Sequence, residues 1–427
     1  MKSYKIKPIK KLSGDIILPG DKSISHRAVM IGAISQGETS VRNLLDCDDC
    51  NYTIRAFRNM GIQIKNHKDR TIISGRGLRG LVKPKSSINV GNSGTTIRLL
   101  AGILSGQNFE TVLEGDTSLS NRPMTRVAAP LQAMGADIKV ATGGYPPLKI
   151  KGGELHAIDY RMPVPSAQVK SAILFAGLYA KGTTTVEEVF KSRDHTERML
   201  KLFGSNIKVD GLKVSVTGGG ELTGKSLEIP GDISSAGFFM VLATLLESSA
   251  IKISNVCINP TRAGILNIMV RMGAKVKIIN KRDVFEPIGD IEVNSSGTKG
   301  MVIEENDIPG IIDELPIIFV LAALSKGKTV IRGAEELRVK ETDRITSMKM
   351  NLEKMGARIE VRKNEIVIDG VSALKASKTL RSYGDHRTCM AMTIAALTAE
   401  GESEIDDIEC VNKSFPEFFK YLERLGR

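Results

Sequence analysis

The segment QAMGADIKV at residues 132–140 joins the end of a helix to the start of a strand. Gly135 follows the last apolar residue of the helix, where a left-handed glycine commonly ends helical structure. The residues after it alternate between apolar and polar side chains, which is typical of a half-buried strand. The segment therefore predicts a helix, a glycine stop and a strand that follow one another directly.

The same ending recurs along the whole chain, at RNMG (58–61), QAMG (132–135), KLFG (201–204), VRMG (270–273), EKMG (353–356) and ERLG (423–426). Before each one lies a Thr/Val-rich strand and, before that strand, a more apolar helix. These first helices end in IGAISQG (31–37), LAGILSG (100–106), LFAGLYAKG (174–182), VLATLLESS (241–249), LAALSKG (321–327) and IAALTAEG (394–401). The spacing of about 70 residues is too long for a solenoid unit. The sequence therefore predicts six copies of a βαβαββ unit.

Two nearly identical Pro-Gly segments divide the six copies into two groups of three. Leu18–Asp21 precedes the first copy, and Ile229–Asp232 precedes the fourth. A coincidental pair of turns is one interpretation, but two crossings of the chain between two domains is simpler, and 427 residues favour two domains. We therefore predict a three-copy domain at 21–230, a second one formed by 1–20 and 231–427, and hinges near 19–22 and 229–232.

The composition is that of an ordinary globular protein, with 41% apolar and 25% charged residues. The longest apolar runs, Ala236–Leu246 and Leu315–Leu324, are shorter than the roughly 18 residues that a membrane span needs. Residues 1–11 are basic but contain no apolar signal-peptide region. Five scattered cysteines do not suggest a disulfide framework. We therefore expect a cytoplasmic protein with no membrane partner.

The net charge of +12 is compatible with binding either nucleic acid or small anions. The chain has no Trp, only seven Tyr and twelve Phe, and its basic residues are spread along its length. This composition argues against a surface on which bases stack. We therefore expect small anionic substrates and no nucleic acid.

The repeat also points to a site at the helix starts. Fourteen residues before the terminal glycine of five first helices lie polar side chains: Ser23, Asn92, Gln168, Asp313 and Arg387. Helix capping explains Ser, Asn and Asp, but it explains Gln poorly and Arg not at all, because a cation opposes the helix dipole there. An Arg at a helix start is better explained by a bound anion.

The surrounding residues support this interpretation. Gly20–Arg27 is dense in anion-binding groups, and the glycines of Gly91–Thr96 allow backbone N–H groups to approach a ligand. Eleven to thirteen residues before the terminal glycines of the second helices lie further polar and basic residues: Arg122, Ser192 with Arg193, Arg344 and Lys413. Solvated surface is the alternative, but the shared repeat position favours a binding site.

Two other motifs are weaker. The pattern from Gly75 to Gly80 matches a dinucleotide fingerprint, but Pro84 and a polar run to Asn89 follow where a helix should begin, so we predict a loop. Cys47-Asp-Asp-Cys50 has no second pair and no nearby His, so we expect no metal site. Walker A, H-E-x-x-H and G-x-S-x-G motifs are absent from the sequence.

A set of motifs in the chain resembles those of the 5-enolpyruvylshikimate-3-phosphate synthase family. They are LPGDKSISHR (18–27), GNSGTTIR (91–98), NRPMTR (121–126), RVKETDR (338–344), GDHR (384–387) and NKSFPEFF (412–419). The resemblance extends from about residue 12 to the C-terminus, with the motifs in the family's order and spacing. VPSAQVKSA (164–172) and SRDHTERML (192–200) are similar to the variant called class II.

The resemblance implies an α/β (α+β) fold, a two-domain inside-out α/β barrel with three βαβαββ units per domain and helix N-termini facing the inter-domain cleft. It also implies a reaction of the shikimate pathway, which leads to chorismate and aromatic amino acids. The 5-hydroxyl of shikimate 3-phosphate attacks C2 of phosphoenolpyruvate, and the tetrahedral intermediate then loses phosphate. No cofactor and no metal are implied, and we expect a monomer.

The family's functional residues can be carried onto matching positions. The resemblance implies that phosphoenolpyruvate is bound by Lys22, Gly94, Arg122, Gln168, Arg344, Arg387 and Lys413. It implies that shikimate 3-phosphate is bound on the 21–230 side by Lys22, Ser23, Arg27, Ser166, Ala167 (backbone), Gln168 and Arg193, and also by Asp313 and Lys340. Asp313 is the expected base at the hydroxyl and Glu341 the expected proton donor to carbon, with Lys22 assisting. Because surrounding cations lower a carboxyl pKa, Glu341 would need shielding or a proton shared with a lysine.

Departures from the family pattern limit this transfer. Glu336 stands where class I enzymes have Asn, so we assign no substrate contact to it. Gly94 occupies a position where glyphosate-tolerant enzymes often carry Ala, which predicts inhibition by glyphosate.

Two rival functions fit the sequence less well. The UDP-N-acetylglucosamine enolpyruvyl transferase family would have Lys-Asn at Lys22-Ser23 and a reactive Cys, whereas residues 107–122 contain none. A protein that binds RNA or processes RNA ends would need a catalytic His and a nucleotide site, and would not need Asp313 and Glu341 together.

Overall fold

The computed structural model describes residues 3–426, in which helices and strands alternate. The α-helices are α1 (Lys22–Ala33), α2 (Asp48–Asn59), α3 (Gly94–Ser105), α4 (Thr125–Ala133), α5 (Ala167–Gly177), α6 (His195–Leu202), α7 (Ile233–Leu245), α8 (Gly264–Arg271), α9 (Ile308–Ile311), α10 (Leu315–Ala323), α11 (Arg344–Lys354), α12 (His386–Leu397) and α13 (Phe418–Leu425). Short 3-10 helices occupy Leu119–Asn121, Glu305–Asp307, Glu335–Val339 and Glu409–Lys413.

The strands are mostly short. They are β1 (Tyr4–Ile6), β2 (Ser13–Ile17), β3 (Gln36–Arg42), β4 (Gln63–Asn66), β5 (Arg70–Arg76), β6 (Ile88–Asn89), β7 (Glu110–Glu114), β8 (Asp137–Ala141), β9 (Tyr145–Lys151), β10 (Leu155–His156), β11 (Asp159–Arg161), β12 (Ala180–Lys181), β13 (Thr183–Glu187), β14 (Ile207–Asp210), β15 (Lys213–Thr217), β16 (Ser226–Glu228), β17 (Ala250–Cys257), β18 (Lys275–Asp283), β19 (Pro287–Asn294), β20 (Val302–Ile303), β21 (Lys328–Arg332), β22 (Arg358–Val361), β23 (Glu365–Asp369) and β24 (Ser403–Ile405).

The chain divides into two compact units. Gly20–Ile229 forms one of them, called here the inserted unit. Met1–Pro19 together with Pro230–Arg427 forms the other, called here the split unit. Each unit contains three copies of the repeat.

The second copy shows the repeat of the inserted unit most simply. Its sheet has the order β6-β7-β9-β8, in which β6 and β7 are parallel and β9 is antiparallel to both β7 and β8. Helix α3 connects the two parallel strands, and α4 leads into the antiparallel pair. The third copy has the same arrangement, β11-β13-β15-β14. The first copy takes its parallel strand from the end of the unit, because β16 pairs with β3.

The split unit completes two of its copies with strands from the N-terminal part of the chain. Strand β2 pairs in parallel with β17 in the sheet β18-β19-β17-β2, and β1 pairs antiparallel with β24 of the sixth copy. A parallel bridge joins Leu380 to Ile405 in that copy. The fifth copy forms β20-β21-β23-β22 from contiguous sequence. The predicted βαβαββ pattern is therefore confirmed in five copies, whereas the described part of the sixth has only the bridge at Leu380, β24 and its antiparallel partner β1. The local sequence pattern did not predict that strands from the N-terminal part of the chain complete the fourth and sixth copies.

The glycine stops are mostly as predicted. After the second helices, Gly61, Gly135, Gly204, Gly273 and Gly356 have φ between +85° and +97°. The prediction is wrong for Gly426, whose φ is −89°, because its N–H continues the helical bonding to Leu422 O. Most first helices end a few residues before their glycine rather than at it; α1, for example, ends at Ala33 and Gly37 lies in β3.

The apolar runs found in the sequence form buried helices. Helix α7 and helix α10 are buried on nearly all sides, which explains why apolar residues surround each helix instead of forming one stripe. Across the described part of the chain, the helices are too short or too polar to cross a membrane. The predicted loop at Gly75–Gly80 begins at the end of β5, and the next regular element is β6 rather than a helix.

Helices α3 and α5 approach each other through Gly102, which gives a first prediction. A Cβ at Gly102 would lie 2.1 Å from the backbone oxygen of Ala172, and a backbone atom cannot move aside cheaply. Gly102→Ala is therefore expected to lower the free energy of unfolding by about 1–3 kcal/mol. Urea denaturation measures this, with Gly220→Ala as the control because no atom lies within 4 Å of its added Cβ. Equal stability of the two variants would contradict the prediction.

Candidate active site

The five polar residues predicted at helix starts all lie within two residues of the start of a helix. Four helices are capped by a neighbouring side chain instead, since backbone N–H groups donate to Asp21 in α1, Ser93 in α3, Ser166 in α5 and Asp385 in α12. The fifth, α10, has no side-chain cap bond at Glu314. Capping therefore does not explain the polar residues found at the repeat position.

In the inserted unit, Lys22 and Arg27 project from the first turns of α1. Lys22 Nζ lies 2.8 Å from Oδ2 of Asp49, in the first turn of α2. Arg27 is buried, and its guanidinium donates to the Ser23 carbonyl oxygen at 2.9 Å, to Ser171 Oγ at 2.8 Å and to Thr196 Oγ1 at 2.6 Å. Arg27 thereby connects the starts of α1, α5 and α6.

Gly94 lies between two guanidinium groups at the start of α3. A Cβ at this position would lie 2.9 Å from Arg98 Nη1 and 3.1 Å from Arg122 Nη1. Arg122 also donates to Asn92 Oδ1, which fixes its direction. Two guanidinium groups beside a helix N-terminus suit a carboxylate or phosphate.

Gln168 belongs to the same group of side chains. Its Oε1 accepts from Arg98 Nη1 at 2.9 Å, and its Nε2 donates to Thr95 Oγ1 at 3.1 Å. Ser166 and Ala167 form the start of α5, and Arg193 lies two residues before α6. Sequence reasoning did not single out Arg98, although it lies one helical turn after Gly94 in a motif that was recognised.

In the split unit, Arg344 holds three carboxylates. Its Nε donates to Asp385 Oδ2 at 2.8 Å, its Nη1 lies 3.4 Å from Asp313 Oδ1, and its Nη2 donates to Glu341. Burial lowers the pKa of Arg344, but these carboxylates outweigh burial and raise it above its ordinary value. Arg344 therefore stays charged. Its guanidinium contacts both carboxylates that are predicted to transfer protons, Asp313 and Glu341.

Lys340 and Arg387 complete this group. Lys340 Nζ lies 3.9 Å from Asp313 Oδ1, and burial lowers the pKa of Lys340 despite the opposing attraction of Asp313. Arg387 donates from Nη1 to the Asp313 carbonyl oxygen at 2.8 Å. Lys413 contacts the loop before α12, where its Nζ donates to the Gly384 carbonyl oxygen at 2.7 Å.

The charges of this group differ from the expectation for Glu341. Sequence reasoning surrounded Glu341 with cations, but the group of side chains linked through Arg344 also contains other carboxylates. The carboxylates of the group are Asp313, Glu314, Glu341 and Asp385, and its cations include Lys340, Arg344 and Arg387. The local field at Glu341 is therefore less positive than a count of conspicuous basic residues indicates.

The fourth copy contains a basic residue that sequence reasoning missed. Arg262 lies eleven residues before Gly273, the same repeat position as Arg193 in the third copy. It is buried, and its Nη1 lies 2.8 Å from Glu314 Oε1 while its Nη2 lies 3.2 Å from Asp232 Oδ1. Because two carboxylates hold Arg262, it fixes Glu314 next to Asp313 rather than offering its charge to a ligand.

Possible metal ligands are dispersed over residues 3–426, where no group of three or more His, Cys, Asp or Glu side chains is arranged to hold a metal ion. The five cysteines are buried thiols.

Comparison with known proteins relates these groups to a family. The family model described as EPSP synthase (3-phosphoshikimate 1-carboxyvinyltransferase) matches residues 6–422. A protein of Brevibacillus brevis named 3-phosphoshikimate 1-carboxyvinyltransferase is 47% identical over 425 residues, which cover 99% of this chain and 100% of that protein. A protein of Citrifermentans bemidjiense with the same name is 48% identical and covers 99% of both chains.

A solved structure agrees with these relatives. The EPSP synthase of Acinetobacter baumannii superposes with a TM-score of 0.88 at 44% sequence identity, covering 100% of this chain and 98% of that one. This agreement confirms the predicted α/β fold class. The chain therefore belongs to the EPSP synthase family, as the resemblance of its motifs predicted.

Proposed function

We propose that this chain transfers the enolpyruvyl group of phosphoenolpyruvate to the 5-hydroxyl of shikimate 3-phosphate and releases phosphate. Membership of the family supports the reaction. The observation that carries it is the arrangement on Arg344, which holds Asp313 and Glu341 together with Lys340 close by. An addition that is followed by an elimination needs one group to accept a proton and another to deliver one, and these two carboxylates can share that task.

Phosphoenolpyruvate carries a carboxylate and a phosphate, and the chain offers planar cations suited to both. In the inserted unit Lys22, Arg122, Gln168 and the backbone at Gly94 are proposed to bind it. In the split unit the proposed groups are Arg344, Arg387 and Lys413. An arginine binds a carboxylate or phosphate through two parallel hydrogen bonds, which orients the ligand as well as holding it.

Shikimate 3-phosphate needs partners for its phosphate and its hydroxyls. We assign the phosphate to the starts of α1, α5 and α6, through Ser23, Arg27, Ser166, Ala167, Gln168 and Arg193, because Arg27 contacts residues of all three helices and helix N-termini favour anions. The inserted unit is thus the proposed shikimate 3-phosphate side and the split unit the phosphoenolpyruvate side. Asp313 and Lys340 are assigned to the hydroxyl that reacts.

The proposed proton-transfer roles of Asp313 and Glu341 are based on the charges around them. Asp313 is proposed to accept the proton of the 5-hydroxyl, since Lys340, Arg344 and Arg387 nearby stabilise its carboxylate form. Glu341 is proposed to deliver a proton to the methylene carbon. Binding of phosphoenolpyruvate adds negative charge beside a group already rich in carboxylates, which favours the protonated form of Glu341. Lys22 is proposed to assist from the inserted unit.

The protein is proposed to be a cytoplasmic monomer that needs no cofactor or metal. Its two substrates are proposed to be its only partners. The buried thiols are consistent with a reducing compartment. Size measurement by light scattering, with and without both substrates, tests the monomeric state.

The deciding experiment measures phosphate release with phosphoenolpyruvate and shikimate 3-phosphate together, and then with each substrate omitted in turn. Release that needs both substrates, together with an enolpyruvyl ether product, is the expected result. Release from phosphoenolpyruvate alone would contradict the proposal. Filter binding of RNA separates the rival function, because only weak and salt-sensitive binding is expected.

Glyphosate inhibition follows from the surroundings of Gly94, and it is a second prediction. Wild-type enzyme is expected to be inhibited, and a rate that stays flat to millimolar glyphosate would contradict this. In Gly94→Ala the added Cβ meets the ends of Arg98 and Arg122, which must shift by a few tenths of an ångström. The KM for phosphoenolpyruvate and the inhibition constant for glyphosate should both rise, by about tenfold, which corresponds to roughly 1.4 kcal/mol. Gly153→Ala in the same unit is the control, since no atom surrounds its Cβ.

A further inference from the structure

The inserted unit contains a buried group of three charges that the proposed reaction does not use. Lys170 lies in the first turn of α5, Glu197 in the first turn of α6, and Glu188 directly after β13. Lys170 Nζ is 2.6 Å from Glu197 Oε1 and 2.7 Å from Glu188 Oε2. The three side chains, called here the Lys170 triad, are 1–4% exposed.

The triad holds the segment that carries Arg193. Glu188 Oε1 accepts hydrogen bonds from the backbone N–H of Ser192, at 3.1 Å, and from its hydroxyl. Lys170 Nζ lies 3.5 Å from the Ser192 carbonyl oxygen. Both backbone polar groups of Ser192 are thus bound by the triad, and Arg193 is the next residue.

A second polar bridge lies alongside the first. Ser171 follows Lys170 in α5, and its hydroxyl is 2.6 Å from that of Thr196, which precedes Glu197 in α6. Arg27 donates to both hydroxyls. Two sets of interactions, the ion pairs of the triad and the hydrogen bonds of Ser171 and Thr196, therefore connect the start of α5 to the start of α6.

Stability alone is a weak explanation for such a group. Apolar side chains of similar volume usually hold two helices at least as well as a buried ion pair, because removing charges from water is costly. Burial lowers the pKa of Lys170, but Glu197 and Glu188 outweigh burial and raise it above its ordinary value, so the ammonium group persists. What an ion pair adds is a fixed distance and direction between the two helix starts.

We propose that Lys170, Glu188 and Glu197 are positioning residues, which set the spacing between the start of α5 and Arg193 so that both bind the phosphate of shikimate 3-phosphate. The proposal rests on the function proposed above. None of the three needs to touch a substrate. Loss of the triad should weaken binding of shikimate 3-phosphate, because the N–H groups at Ser166–Gln168 and the Arg193 guanidinium would no longer converge on one phosphate.

The test is steady-state kinetics and direct calorimetric titration with shikimate 3-phosphate for Lys170→Met, which removes both ion pairs while keeping an unbranched chain. The KM and the Kd for shikimate 3-phosphate are expected to rise about tenfold or more, since misplaced binding groups are costly. The KM for phosphoenolpyruvate and kcat are expected to change less than about threefold. If Lys170→Met does not fold, Glu188→Gln carries the test, because it keeps an oxygen for Ser192 and loses the charge; it should raise the same KM.

Two controls separate positioning from loss of stability. Lys181→Met makes the same substitution in an exposed pair, since Lys181 Nζ lies 3.0 Å from Glu154 and both side chains are more than 80% exposed. It should leave every constant unchanged. Leu113→Ala deletes buried methyl groups in β7 away from the triad, and it should lower the melting temperature without raising the KM for shikimate 3-phosphate.

The outcomes are distinct. A KM for shikimate 3-phosphate that stays at the wild-type value in the folded variant overturns the proposal, as does an equal rise for both substrates that Leu113→Ala reproduces. A wild-type enzyme that binds no shikimate 3-phosphate overturns the proposed function instead.

Discussion

Replacing Asp313 with asparagine is expected to lower kcat by about 10²–10⁴-fold in a protein that remains folded. Asparagine keeps the shape of the side chain and an oxygen for Arg344, but it cannot take up the proton of the 5-hydroxyl. The effect should fall on kcat more than on either KM, because the lost interaction matters in the transition state. Phosphate release at saturating concentrations of both substrates measures it.

Asp307→Asn is the matched control for this experiment. Asp307 lies six residues earlier and pairs with Arg271 at 2.9 Å, with both side chains partly exposed. It should retain activity close to wild type. If Asp313→Asn retained the wild-type rate, Asp313 would not be the base. If circular dichroism showed that the variant is unfolded, the loss of activity would be due to the loss of the fold.

Replacing Arg344 with methionine is expected to produce the largest loss of stability. Arg344 is 1% exposed and holds Asp313, Glu341 and Asp385. Methionine fills most of the space but leaves these carboxylates without their shared cation, and breaking a buried pair in this way costs about 3–5 kcal/mol. Urea denaturation gives the free energy of unfolding, and the folded fraction should have lost activity because Asp313 and Glu341 are no longer oriented.

Arg338→Met provides the comparison. Arg338 Nη1 lies 2.9 Å from Asp343 Oδ2, but both side chains are substantially exposed, and such surface pairs contribute about 0–1 kcal/mol. If Arg344→Met were no less stable than Arg338→Met, the three carboxylates would not depend on Arg344, and the proposed arrangement of the site would be wrong.

The repeat could be predicted from the sequence because its signals are local. A glycine stop and the alternating residues after it lie side by side, as at Gly135 and β8. The pairing of β2 with β17 could not be predicted in this way, because the paired residues lie 237 positions apart in the sequence and the alternation of apolar and polar residues does not show which strand pairs with which. Strands β6 and β20, with two residues each, are too short to show alternation.

The candidate site, like the fold, could be predicted only where the signal is local in sequence. The repeat position identified Arg344, Arg387 and one of their partners, Asp313, but it did not identify the other carboxylates that contact the two arginines. Asp385 was visible in a recognised motif, yet its contact with Arg344 joins two helices 41 residues apart in sequence. Asp49 and Glu314 were missed for the same reason, since ion pairing depends on where side chains meet in space. A search for cations alone therefore finds ligand-binding groups and overlooks the carboxylates that orient them.

The exchange of strands in the split unit constrains the order in which the chain can fold during synthesis. The inserted unit draws its strands from residues 36–228 and can be completed as soon as β16 has emerged. Strands β1 and β2 emerge first but have no partner until β24 and β17 are made. An unpaired apolar strand attracts other chains, and charged residues suppress that association. Four lysines occur among residues 5–11. We infer that these charges reduce the association of this N-terminal segment with other chains until β17 and β24 have been synthesised.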